Sequence, residues 1–426
     1  MRYGTWLVIA ALAAWGVGCS SDSEDRPPPN EGAGGQGGDG GSGGEGGDGD
    51  EIPEGCTVLV APSDDDHATI QGALLDAESG DVVCFAEGRY ELKDELSLTT
   101  SGVTLRGLEG AVLDFTNQES GGNGILITGN DTVVERLRIE NPKGNGIRAT
   151  KVDGITVREV EVEWTWGPKA TNGGYGIYPV ESTRVLVENC FVSGASDTGI
   201  YVGQSNKIIV RNNEATNNVA GIEIENSTDA DVYGNHLYGN TSGVLIFNLP
   251  HLAVKDGKRA KIRNNLIEDN NLDNFAPEGN IVAIVPPGTG ILVMASDHNE
   301  IHDNEIKNHD SLGIAFINWG MTLEEDPGDE GFDWYPEGNY THDNVIENSG
   351  GNPRGQAAMI AALTKLEELP NLFWDGVVDE GKDNSDGSLT NCFNANGDAT
   401  FLNLEIKSTD LEPNTCTHPS LPEIEL

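Results

Sequence analysis

The chain is short of positive charge. Its 426 residues hold 25 Lys and Arg against 70 Asp and Glu, a formal net charge of −45. Such a balance keeps a protein soluble and repels nucleic acid and anionic lipid surfaces at long range, which sets polyanion binding at a disadvantage. Long hydrophobic runs are also scarce. The apolar run from Trp6 to Gly18 is too short to span a bilayer. Cysteine is sparse, with six residues, whereas glycine is abundant, with 56.

The N-terminus combines Arg2, the apolar run and Cys19 directly after Gly18, followed by Ser20 and Ser21. This arrangement resembles a bacterial lipoprotein signal, with Gly16 where such signals usually carry Leu. The resemblance implies a signal peptide over residues 1–18 and a lipid on Cys19; an ordinary cleaved secretory signal is the other reading. Either implies export, and the first implies anchoring in the bacterial cell envelope, facing the periplasm or the cell surface. Residues 19–55, with PPP at 27–29 and GGDGGSGGEGGDGD ending at 50, are too poor in apolar side chains to fold and read as an acidic tether. In an exported protein the local pairs Cys56 with Cys84 and Cys392 with Cys416 are plausible disulfides. Cys190 is left over.

Residues 199–220, GIYVGQSNKIIVRNNEATNNVA, are repeated by their neighbours at 221 (GIEIENSTDADVYGNHLYGNTS) and 176 (GIYPVESTRVLVENCFVSGASDT). Coils begin at Gly124, Gly146, Gly176, Gly199, Gly221, Gly243, Gly290 and Gly313, most of them 22 or 23 residues apart. That period is a solenoid's. The expected fold is all-β, a right-handed single-stranded parallel β-helix over 56–353. An N-terminal helical cap is expected around Ile70, Leu74 and Leu75, and a C-terminal capping helix over 356–370. Residues 354–426 are expected to hold that helix and an irregular, disulfide-pinned segment. Strand alternation sends positions one and three after each glycine inward and positions two and four outward. Asn213, Asn235 and Asn304 share one register and should form an internal amide ladder; Cys190 occupies the same register and should be a small inward thiol.

The outward column two residues after each glycine reads Leu126, Arg148, Tyr178, Tyr201, Glu223, Leu245, Leu292 and Ala315. Coils stack at about 4.8 Å, so Arg148, Tyr178, Tyr201 and Glu223 should neighbour one another, with Glu225 and Glu181 alongside. A phenol beside an arginine and near carboxylates is a workable set for abstracting a proton alpha to a uronate carboxylate, the cation offsetting the developing charge. From Leu245 onward the column turns apolar, with Phe247, Met294 and Ile317 in the next outward position. That half should be roofed by loops or by a protein partner. Three insertions interrupt the repeat, between Trp164 and Gly174, Leu249 and Gly288, and Gly320 and Asn339. Trp164, Trp166 and Tyr175 on or beside the first, and Trp319, Phe332, Trp334 and Tyr335 on the third, suit stacking against sugar rings unless they pack the loops onto the helix.

The helix, the short strand and SGVTLRG at 101–107 resemble the N-terminal cap and first coil of the pectate-lyase-like β-helix superfamily. At 174–182, GYGIYPVES is similar to the active-site strand of the mannuronan C5-epimerase branch, Tyr-Gly-x-Asp-Pro-His-Asp. Tyr175, Gly176 and Pro179 match. Tyr178 and Val180 stand where that family has its catalytic acid and histidine, and Glu181 where it has the last acid. The resemblance therefore implies a fold and the place of a site, not an activity. The whole chain also resembles exported bacterial β-helix-repeat proteins of undefined function.

A second constellation aligns IHDN at 301–304 with THDN at 341–344, bringing His302 near His342 and Asp303 near Asp343. Two histidines and two carboxylates can hold a divalent cation, although adjacent strand residues point apart. No other cofactor is expected. The expected function is binding, with lyase- or epimerase-type processing as an open question, of an extracellular polysaccharide. The alternatives are a non-catalytic surface scaffold and a β-helix docking a protein through Leu245, Phe247, Leu292 and Met294.

Overall fold

The computed structural model describes residues 52–322 and 326–426. The expectations for residues 1–18, Cys19 and most of the tether lie outside the described residues. Three parallel sheets of twelve, eleven and ten strands form a right-handed β-helix, each regular coil adding one strand to each sheet. The coil Tyr175–Val180, Thr183–Glu188, Phe191–Ser193 is followed by Thr198–Gly203, which stacks on Tyr175–Val180 in the expected register, Ile177 opposite Ile200. The next steps pair Tyr201 with Glu223, Glu223 with Leu245 and Leu245 with Leu292.

The coil glycines are needed because the sheets converge there. A Cβ at Gly176 would stand 2.3 Å from Val192 Cγ1 and 2.7 Å from Gly199 O. Inward positions build one continuous core, including Ile125, Ile147, Ile177, Ile200, Ile222 and Val244, each 0–1% exposed. Buried asparagines close one corner. Asn213 donates to Asn235, Asn235 to Asn265, Asn265 to Asn304 and Asn304 to Asn344, all at 2.9–3.0 Å. Each side-chain oxygen also accepts the backbone N–H one coil below, so the ladder satisfies turn groups that no water reaches. Cys190 heads this ladder, its N–H donating to Asn213 Oδ1, and burial pushes its thiol up to about 12. A second ladder, Asn218 to Asn240 to Asn270 and on to His309, was not anticipated.

The disulfides are Cys56–Cys84 and Cys392–Cys416, as the local pairing suggested. Bridges of this kind fit an oxidising, extracytoplasmic compartment. The helix Asp66–Asp76 forms at the N-terminal end, capped by Asp65, whose carboxylate accepts from Ala68 N. Ile70 and Leu74 face the core, but Leu75 is 70% exposed and takes no part in the cap.

Two expectations for the C-terminal part are corrected. The helix Gly355–Thr364 does not close the end of the solenoid; its Ala357 and Ala361 belong to the lateral apolar cluster that holds Leu245, Phe247, Leu292, Met294 and Phe373. The segment beyond it is not merely irregular, since Leu372–Trp374, Cys392–Asn394 and Phe401–Asn403 add strands to the two larger sheets. The docking surface expected at Leu245 and Leu292 is also corrected. They are 0% and 3% exposed in one cluster with Val282 and Val285 of the second insertion, Trp319 beside the third, Phe332 within it, and the helix, so the roof is intramolecular.

Candidate functional site

Of the expected residues, the structure brings together Arg148, Tyr175, Tyr178, Tyr201, Glu223 and Glu225 on the outer face of the eleven-stranded sheet. Tyr175 opens its strand and leans over the column: its ring lies 4.6 Å from both Tyr178 and Tyr201, and those two lie 4.9 Å apart, edge to face. The Arg148 guanidinium lies 5.2 Å from the Tyr178 ring centre, within cation–π range. Tyr201 donates to Glu225 Oε1 at 2.5 Å, and Thr198 donates to Glu223 Oε2 at 2.8 Å.

One member escaped the sequence reading. Asp197, two residues before the coil glycine, shares Thr198 with Glu223 and accepts from Asn280 of the second insertion at 3.3 Å. Its signal was the Asp-Thr before Gly199, where the next coil has Val219–Ala220.

The electrostatics follow from burial. Glu223, Glu225 and Asp197 are 1%, 7% and 5% exposed. Desolvation disfavours their ionised forms. Burial raises Asp197 to about 6 against the opposing bonds from Thr198, Tyr175 and Asn280. Burial likewise raises Glu225 to about 7, opposed by the Tyr201 bond and reinforced by Asp197. Glu223 is pushed well above the usual carboxylate range by burial and then by Glu225 and Asp197. Burial and the same carboxylates raise Tyr175 and Tyr201, and burial raises Tyr178 despite Arg148. The phenols are thus held in their protonated form, and Glu225 is raised toward neutrality.

Two polar atoms are left without partners at opposite ends of the cluster, Arg148 Nε and Glu223 Oε1. Every other described arginine has a carboxylate within ion-pair distance. Arg148 thus has no carboxylate partner and stands three strand spacings, or about 14 Å, from Glu223.

Other expected residues fall elsewhere. Trp164 is corrected from sugar binder to core residue: it is 1% exposed and its indole donates to Pro142 O at 2.8 Å. Trp166 is 43% exposed beside Lys169, its indole fixed by a bond to Asn172. Glu181 is exposed at the strand's end in a left-handed conformation, 3.6 Å from Lys151. Trp319 and Phe332 pack edge to face as part of the roof. His302 and His342 do stack, with rings 4.9 Å apart and nearly coplanar in orientation. Each Nδ1 bonds the following aspartate, Asp303 or Asp343, and His342 Nε2 lies 3.3 Å from Glu300. Among the described residues no group of three or more His, Cys, Asp or Glu side chains is placed to hold a metal ion.

Residues 123–256 match the model of the family described as right handed beta helix region. No curated protein matches the chain. Among solved structures, the A-modules of two mannuronan C-5 epimerases of Azotobacter vinelandii are similar. AlgE4 is 17% identical with a TM-score of 0.48, over 70% of this chain and 88% of its own. AlgE6 is 17% identical with a TM-score of 0.46, over 67% and 83%. The periplasmic alginate epimerase AlgG is 13% identical with a TM-score of 0.45, over 63% and 72%. The three parallel sheets and the matched family model make the chain a right-handed parallel β-helix protein.

Proposed function

We propose that this protein binds an extracellular polysaccharide on the outer face of the eleven-stranded sheet, around Tyr175, Tyr178 and Arg148. The finer reading is a lyase- or epimerase-type step. The observation that carries the proposal is the unpaired Arg148 beside three clustered phenols and a carboxylate poised near neutrality. Arg148 holds a uronate carboxylate, and the half-buried Tyr178 offers a ring face and a hydroxyl to the sugar. Glu225 takes the Tyr201 hydroxyl proton as the Tyr201 oxygen takes the proton on the carbon alpha to that carboxylate. The carbanion then either expels the glycosidic oxygen, which takes a proton from Tyr175 or Tyr178 as a carbon–carbon double bond forms, or is reprotonated from the opposite face by one of those phenols.

Incubation with a panel of uronic-acid and neutral polysaccharides tests this reading. Binding by calorimetry, with new unsaturated ends or an altered uronate ratio, is expected, and Arg148→Ala and Tyr178→Phe should abolish turnover. No binding to any polymer would sink the proposal. A non-catalytic scaffold is the second reading, favoured by the near-complete burial of Tyr201, Glu223 and Glu225. In that case binding survives Tyr178→Phe and fails on Trp166→Ala.

The N-terminal arrangement supports lipidation of Cys19 after removal of residues 1–18, with the tether holding the folded part off the membrane. Labelling of cells with a fatty-acid probe should mark the wild-type protein and leave Cys19→Ala unmarked; equal labelling rules the anchor out.

A further inference from the structure

Four residues after each coil glycine, the outward column reads Thr150, Val180, Gly203, Glu225 and Phe247, each paired in register with the next. Gly203 stands out in it. Its φ is not left-handed, and the neighbouring coils carry Thr150, Val180 and Glu225 at the same place. Each of the four is followed by a residue in the left-handed region, Lys151, Glu181, Gln204 or Asn226. The backbone of this turn therefore does not ask for glycine. Glycine at a ladder position weakens a sheet and marks a place that something else approaches closely.

What approaches Gly203 is Tyr201. A Cβ at 203 would stand 2.2 Å from Tyr201 Oη, 2.5 Å from its Cε1 and 2.6 Å from its Cζ. The ring thus lies down along its own strand, over residue 203. From there its hydroxyl donates at 2.5 Å to Oε1 of Glu225, the register partner of Gly203 in the next coil. Among the described residues it is the one donor to that carboxyl. The preceding coil has the other arrangement: its fourth residue is Val180, Tyr178 stays half-buried, and no carboxylate among the described residues accepts from the Tyr178 hydroxyl. The Tyr201 ring has no room to sidestep an added Cβ, being 4% exposed with the Tyr175 and Tyr178 rings 4.6 and 4.9 Å away.

We propose that Gly203 is a positioning residue: the notch it leaves in the column lays Tyr201 against Glu225 and so builds the phenol–carboxylate pair. Any side chain at 203 lifts the ring, parts the hydroxyl from Oε1 and leaves Glu225, 7% exposed, without a donor. The weakness of glycine in the ladder is offset by the bond that it permits. That the pair takes a proton from a uronate rests on the reading above; that Gly203 builds the pair does not.

A double-mutant cycle on the full protein without glycan reads the notch directly. Gly203→Ala should lower the urea midpoint of the wild type, whereas in Tyr201→Ala, where the ring is gone, it should leave the midpoint unchanged or raise it. If Gly203→Ala alone does not fold, the double variant with Tyr201→Ala should. On a polysaccharide that the protein turns over, Gly203→Ala should lower kcat by about a hundredfold or more with KM little changed. Tyr201→Phe should lose as much, and the two together no more than either alone. Equal falls in midpoint in both backgrounds, a double variant that does not fold, or wild-type kcat in Gly203→Ala overturns the proposal. A cycle that comes out as expected on a protein that turns over no polysaccharide would remove the catalytic reading and leave the notch standing.

Discussion

One sheet face carries two surfaces of opposite character. From Arg148 to Glu223 the residues two after each coil glycine are aromatic, cationic or acidic, with two unpartnered polar atoms among them. From Leu245 to Ile317 the same positions are apolar and lie beneath an insertion, a helix and two aromatic residues. The strands beneath are alike: glycine second, then an aliphatic inward side chain, in unbroken register from Ile147 to Ile314. A β-helix satisfies its backbone and core without reference to what stands outside, so the outer column is free to differ coil by coil. In this chain that freedom gives one half to holding the insertions in place and the other to chemistry.

The comparison breaks most sharply at Phe247. Its ring is 1% exposed between the sheet and the roof, and Phe247→Ala should lower stability by about 3–5 kcal/mol through lost transfer energy and a cavity. Urea unfolding followed by circular dichroism checks this. Arg148→Ala, one strand spacing from Tyr178 in the polar half, should change stability by less than about 0.5 kcal/mol. Comparable losses in both variants would mean that the polar half is structural too.

Much of this arrangement was legible because a fixed register converts sequence positions into neighbours. The glycine spacing placed Arg148, Tyr178, Tyr201 and Glu223 in one column and Cys190 at the head of the asparagine ladder, as found. What escaped lies where the register gives no guidance. Asp197 sits in the turn before the strand, outside the alternation rule. Trp164 begins an insertion, where a large ring can swing either way, and the core gap beside Gly173 took it; a Cβ there would stand 2.7 Å from the Trp164 ring. The helix Gly355–Thr364 was readable as a helix, but its apolar residues surround it and name no partner face. The strands at 372–374, 392–394 and 401–403 are three residues each and separated by long turns, too short for periodicity to register.

A smaller effect sharpens the comparison from within the polar half. Burial of an ordinary core residue stabilises at every pH, whereas a carboxylate whose folded-state pKa is raised stabilises least where it is forced to ionise. Glu223 is pushed up by burial and by Glu225 and Asp197, so its contribution is most favourable below the ordinary carboxylate range and declines as the pH rises through and above it. Glu223→Gln keeps the shape and an acceptor for Thr198 while removing the charge. It should leave stability near pH 4 within about 0.5 kcal/mol of wild type and raise it by about 1 kcal/mol at pH 8. Urea midpoints measured at both pH values decide the matter. A variant less stable than wild type at pH 8 would mean that the ionised Glu223 has a partner, and that the polar half is held together by its charges as firmly as the apolar half is by its roof.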